Sequence, residues 1–111
     1  MESKALEETE RYSASKSTHP RVSLDDMKAK IDGEYYFTLN QAFPDTPIPA
    51  SFCILTVCVL SMKNGFTIIG KSAPASPENF DIEKGKTFAY EDAIKQLWPL
   101  EGYALRERLS A

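Results

Sequence analysis

The sharpest pattern along the chain runs from Phe52 to Ser72, where apolar and β-branched residues continue almost unbroken, stop at a turn and resume. Residues 52–62 read FCILTVCVLSM, Asn64-Gly65 supplies turn chemistry, and residues 66–72 read FTIIGKS. Asn-Gly favours the positive φ angles of a tight type I′ turn, so the pattern predicts a long antiparallel hairpin over 52–62 and 66–72. Counting outward from a two-residue turn pairs Lys63 with Phe66, Ser61 with Ile68 and Val59 with Gly70 on one face. The other face then carries Met62, Leu60 and Cys58 opposite Thr67, Ile69 and Lys71. Both faces are substantially apolar, whereas a hairpin wetted on one side alternates cleanly, so each face needs a cover.

At roughly 3.3 Å per residue the first strand spans about 36 Å and the returning strand about 23 Å. A lone hairpin is marginal in water, so the unmatched edge calls for a further strand, from the Tyr35 region or from a second copy of the chain. A homo-oligomer is therefore expected.

Beyond the hairpin, SAPASPENFD turns the chain toward a helix over 81–97, with Ser76, Asn79 and Asp81 as alternative caps. Gly85, Ala89 and Ala93 recur every four residues and make a smooth strip that lets a neighbouring element approach closely. Pro99 cannot donate the next helical amide bond, so a short kinked terminal helix over 99–109 is expected after it. Trp98, Gly102, Leu105 and Leu109 share one stripe of that segment.

Upstream, Ser23 is placed to cap a short helix over 24–31, with Leu24, Met27 and Ile31 on one face and Gly33 as its stop. Tyr35, Tyr36 and Phe37 have β preference, and Thr38 can open a helical turn in TLNQAF. PDTPIP at 44–49 excludes both helix and central strand and reads as a linker. Residues 1–20, rich in Glu, Ser, Lys and Thr, bury too little apolar surface to order themselves and read as a disordered polar tail. The fold class is α+β, in three parts: tail 1–20, N-terminal cover and linker 21–49, and a hairpin-helix core 50–111.

Composition narrows the chemistry. With 111 residues, 42% of them hydrophobic, the chain holds one core and no second. A net charge of −3 argues against a protein that grips nucleic acid through phosphate neutralisation, although Lys63, Lys71, Lys84 and Lys86 are a candidate basic patch. No apolar run reaches bilayer length and the N-terminus lacks a signal-peptide core, so the cytoplasm is the expected location and no membrane is involved. Cys53 and Cys58 are five apart on the expected strand, hence on opposite faces and unable to pair. The one histidine, His19, sits in the tail, which leaves no metal-ligand set, no HExxH and no base for a cysteine nucleophile.

The order VCVLSMKNGFTIIGKSA, SPENFD and LWPLEGYALRERL resembles a family of small phage and prophage proteins named after gene product forty-nine of a coliphage and gene product sixty-six of a Shigella phage. The resemblance covers about residues 50–109. It departs at Pro74, where the family carries Cys, and at residues 84–88, where the family is more aliphatic. It implies a phage origin and a non-structural accessory role, and supplies no enzymatic activity.

Three classes of function are open at this point. The first is a non-enzymatic phage accessory protein that binds a host component, such as a host protein, in counter-defence. Its narrower form is an oligomeric sponge for a nucleotide-like immune signal of the cyclic nucleotide or cyclic ADP-ribose type. Phe66 would stack, Asn79 would hydrogen-bond, Arg106 and Arg108 would supply charge, and Tyr103 is a further aromatic candidate. Each has a plain structural alternative: turn packing for Phe66, a helix cap for Asn79, solvated arginines, and packing for Tyr103. The second class, an enzyme, rests on Tyr90, Glu91, Asp92, Glu101 and Tyr103. Adjacent helical residues point about 100° apart, so Glu91 and Asp92 do not converge, and no catalytic residue, metal or cofactor is assigned. The third is a nucleic-acid-binding accessory protein using the lysine patch.

Overall fold

The structure, a computed structural model, describes residues 4–16 and 20–111. Helix α1 (Lys4–Lys16) precedes α2 (Leu24–Ala29), strand β1 (Ile31–Thr38), and 3-10 turns at Leu39–Ala42 and Ala50–Ile54. Strands β2 (Thr56–Met62) and β3 (Thr67–Ser72), a 3-10 turn at Pro77–Asn79 and helix α3 (Ile82–Ser110) complete the chain. The strands form one antiparallel sheet in the order β1-β2-β3, so the fold is α+β, with the Tyr35 region supplying the strand that the hairpin needed.

The hairpin turn differs from the expected one, and its chemistry resets the whole sheet. Gly65 N donates to Met62 O at 2.9 Å, Met62 N donates to Phe66 O at 2.8 Å, and Gly65 has φ +90° while Asn64 stays outside the positive region. This is a three-residue loop with a glycine bulge, in place of a two-residue type I′ turn. The Asn64 side chain accepts from Phe66 N at 2.9 Å, which holds the loop from within. One extra loop residue shifts the register by one, so Leu60 faces Ile68, Val59 faces Ile69 and Cys58 faces Gly70.

That shift gathers Cys58, Leu60, Met62 and Ile68 on one side, where they are buried with Ala89, Tyr90, Ala93, Ile94 and Leu97 of α3. Leu24 and Met27 of α2 close the same core. Among the described residues no second helix matches α3 on the opposite face, where Tyr35 is 61% exposed and Ile69 58% exposed.

Strand β2 starts at Thr56 and not at Phe52. Pro49, at φ −61°, leads residues 50–54 into a 3-10 turn in which Phe52 N donates to Pro49 O at 3.1 Å. Cys53 therefore lies off the strand and exposed, Cys58 is buried in it, and both are free thiols.

Ser23 caps α2 as expected, its Oγ accepting from Asp26 N at 3.0 Å. The helix ends at Ala29, earlier than Ile31, because Lys63 N donates to Lys30 O at 2.9 Å and draws the chain into the sheet. Gly33 is consequently a strand residue at the irregularity between Ile31 and Gly33, and not a helix stop.

Helix α3 also departs from expectation, since the two helices over 81–97 and 99–109 are one, with Pro99 inside it. The carbonyl left without a donor belongs to Lys95, and both Lys95 and Pro99 are exposed, so water can serve it. Asp81 is the cap, its carboxylate accepting from Glu83 N at 2.9 Å and Lys84 N at 3.3 Å.

The small-residue strip seats this helix. A Cβ on Gly85 would fall 2.4 Å from Thr56 Oγ1, and one on Gly70 would fall 2.2 Å from Ala89 O. Backbone meets backbone at that point. The segment read as a polar tail contains α1, which packs against α2 and buries Leu6 in the core. Residues 1–3 and 17–19, including His19, lie outside the described residues.

Candidate functional site

The last fully buried residue of α3 is Leu97, and the helix continues to Ser110. At about 1.5 Å per residue this leaves a projection of about 20 Å beyond the core. Beneath it, against the hairpin turn, opens a cavity of about 490 Å³. Met62, Lys63 and Phe66 line it from the hairpin, and Leu97, Leu100 and Arg108 from the helix. Lys30 and Glu101 complete one wall and form an ion pair there.

The lining has a definite chemical character. Apolar carbon from Met62, Leu97 and Leu100 dominates, Phe66 is 55% exposed, and Lys30, Lys63 and Arg108 outnumber the single carboxylate of Glu101. Such a cavity suits a small molecule that combines an aromatic ring with anionic groups.

Two of the five candidates read from the sequence, Phe66 and Arg108, meet in this cavity. Asn79 does not join them, because it lines a separate cleft of about 180 Å³ beside Phe80, Lys84 and Phe88. About 40 Å of helix separates the start of α3 from Arg108, so one small ligand on one chain cannot touch both. Asn79 is also not the helix cap, a role held by Asp81. Tyr103, 70% exposed, and Arg106 line neither space.

Lys30 and Leu100 were missed by sequence reasoning, and Lys63 was noticed only as a charge. Lys30 had no local signal, since it reaches the site through its backbone bond to Lys63 and its pairing with Glu101. The lysine patch does not assemble: Lys63 lies at the hairpin turn, whereas Lys84 and Lys86 occupy the first turns of α3.

The acid and base candidates are placed apart. Tyr90 is buried in the core, Glu101 pairs with Lys30, Tyr103 is exposed, and Asp92 Oδ2 accepts from Lys71 N at 2.9 Å. Among the described residues no three His, Cys, Asp or Glu side chains are placed to hold a metal ion, and no helix is long and apolar enough to cross a membrane.

A second polar group lies within the sheet. Tyr36 Oη donates to Glu34 Oε1 at 2.8 Å, and Tyr36 sits opposite Cys58 on β2. Burial pushes the Cys58 thiol up to about 11, against a lowering hydrogen bond from Tyr36 and with the Glu34 carboxylate adding to the rise. Burial and the bond to Glu34 also raise the Tyr36 phenol. Both groups are held neutral and protonated at ordinary pH, the opposite of an activated nucleophile.

No curated protein and no solved structure matches the chain. A family model does match, over residues 22–109, and this extends the resemblance from the hairpin-helix core back through α2 and β1. The match thus takes in the whole three-stranded sheet with α2 and nearly all of α3, and the chain belongs to the phage protein family of N4 Gp49 and phage Sf6 gene 66.

Proposed function

We propose that this phage accessory protein works by binding and not by catalysis, holding a small nucleotide-like signal of the host and so serving counter-defence. The cavity between Phe66 and Arg108 is the observation that carries this reading. Its volume of about 490 Å³ lies within the range of small-molecule sites, its apolar wall and Phe66 suit a base, and Lys63 and Arg108 suit phosphate. A sponge needs affinity and copy number only, which agrees with acid and base groups that do not converge. A cyclic nucleotide or a cyclic ADP-ribose type molecule has the required chemistry.

Oligomerisation belongs to the same proposal. The exposed Tyr35 and Ile69 on the sheet, with Leu100 and Leu109 on the projecting helix, are apolar surface that a second copy would cover. Native mass spectrometry of protein purified gently from infected cells reads subunit number and retained ligand together. Calorimetry with a panel of cyclic nucleotides and cyclic ADP-ribose isomers should then find a ligand whose affinity falls at least about tenfold in Phe66→Ala and in Arg108→Glu. Absence of heat from the whole panel at micromolar protein would sink the proposal.

The open sheet face favours a second reading, in which a host protein is the bound component. Tyr35, Phe37, Val59 and Ile69 lie on that face by register. Ile69→Lys should abolish capture of the partner from host lysate while Arg108→Glu leaves it intact, and the reverse pattern would return the site to the cavity.

A further inference from the structure

The cavity at Phe66 has a neighbour. A second cavity, also of about 490 Å³, opens toward α2, and Lys30, Glu101 and Arg108 line both spaces. These three residues are therefore a wall shared by the two. Glu101 and Arg108 stand seven residues apart on α3, two turns along one face, and Lys30 reaches Glu101 from the end of α2, where its carbonyl is held by Lys63 N.

The wall carries one uncompensated charge. Lys30 and Glu101 neutralise each other in their ion pair, whereas Arg108 is exposed and enters no ion pair among the described residues. An anionic group is thus drawn to the boundary between the two spaces, where it can join a unit lying in each. On one side Phe66 and Leu100 suit the face of a base. On the other, Val22 and Ala29 give an apolar surface and the exposed Asp26 carboxylate gives an acceptor for a base edge. Each space alone has the size of a small-molecule site, so a single nucleotide in one leaves the other to water.

We propose that the two cavities are halves of one site and that its ligand is a nucleotide of two base-bearing units joined through phosphodiesters. One base lies against Phe66, the other against Val22 and Ala29, and a phosphodiester meets Arg108. This rests on the reading of the Phe66 cavity as a nucleotide site and selects among its ligands.

Calorimetry with cyclic di-AMP, cyclic di-GMP and cyclic GMP-AMP, set against cyclic AMP and cyclic GMP, tests it. At least one two-unit ligand should bind tenfold or more tightly than its one-unit counterparts. Ala29→Trp, an exposed substitution that fills the second space, should bring that ligand down to the one-unit affinity while one-unit binding stays unchanged, which also shows that the variant is folded. Phe66→Ala should weaken both kinds. Equal affinity for one-unit and two-unit ligands, or an Ala29→Trp variant that weakens neither or both alike, would overturn the two-part site and leave the Phe66 cavity as a nucleotide site. Binding of none of the five would remove both readings together.

Discussion

Gly70 of β3 lies so close under Ala89 of α3 that a methyl group on it would stand 2.2 Å from the Ala89 carbonyl oxygen. The same methyl would stand 2.5 Å from Ala93 N, so neither obstacle is a side chain that can turn away. Gly70→Ala should destabilise the protein by about 3 kcal/mol or prevent folding, measured by urea unfolding. A loss below about 1 kcal/mol would mean that α3 does not seat on the sheet at this distance.

Gly85 makes a comparable contact, but with a side chain. Its added methyl would meet Thr56 Oγ1 at 2.4 Å, and Thr56 is fully buried with that oxygen unpartnered. Gly85→Ala alone should cost about 1–3 kcal/mol, and Thr56→Ala in the same chain should return part of it by removing the obstructing atom. A double-mutant cycle gives the coupling. Simple additivity would show that the two residues do not touch.

The outer edge of β3 is closed by α3. Asp92 Oδ2 accepts from Lys71 N at 2.9 Å, and Gln96 Nε2 donates to Ile69 O at 2.7 Å. Two outward-facing backbone groups of an edge strand are thereby occupied, which discourages pairing with another chain. Asp92→Ala and Gln96→Ala should each lower stability by about 1 kcal/mol, speed hydrogen exchange at the Lys71 amide in the first case, and together promote aggregation on concentration. Unchanged exchange at Lys71 in Asp92→Ala would refute the closure.

Stability should also fall on the alkaline side. The folded-state thiol of Cys58 titrates at about 11, above its ordinary range, so the unfolded chain loses its proton first as pH rises. The unfolded state then binds fewer protons, and stability, constant through neutral pH, declines from about pH 9 toward 11. Tyr36, raised in the same sense, adds to the loss above about pH 10. Denaturation midpoints against pH should show this decline, and Cys58→Ala should flatten its first part. A midpoint that rises over this range in the wild type would contradict the buried, neutral thiol.

Much of this architecture was legible before folding because it rests on short-range rules. Ser23 and Pro99 show where those rules hold and where they fail. The Ser23 cap depends only on a side chain reaching an amide three residues on, and it forms. The stop expected at Pro99 depends on whether the freed carbonyl has another partner, and solvent exposure at Lys95 removes that constraint.

The candidate site divides in the same way. Phe66 and Arg108 are 42 residues apart in sequence and share one cavity, whereas Asn79, nearer to Phe66 in sequence, lies in another. Lys30 carried no motif, and its place in the site comes from its backbone bond to Lys63 and its pairing with Glu101.

By itself, the sequence determined a hairpin, the Ser23 helix cap, a small-residue strip at positions 85, 89 and 93, and membership of a phage family, because periodicity and turn residues act through neighbouring backbone. Tertiary structure decided the register, through the glycine bulge at Gly65, and with it which face holds Cys58, Leu60 and Ile68. It also decided that β1 joins β2, that α3 passes Pro99 and projects over the hairpin turn, and that Phe66 and Arg108 share a cavity that Asn79 does not line. Each of these is a contact between distant segments, and its free energy is set by packing that no local pattern contains.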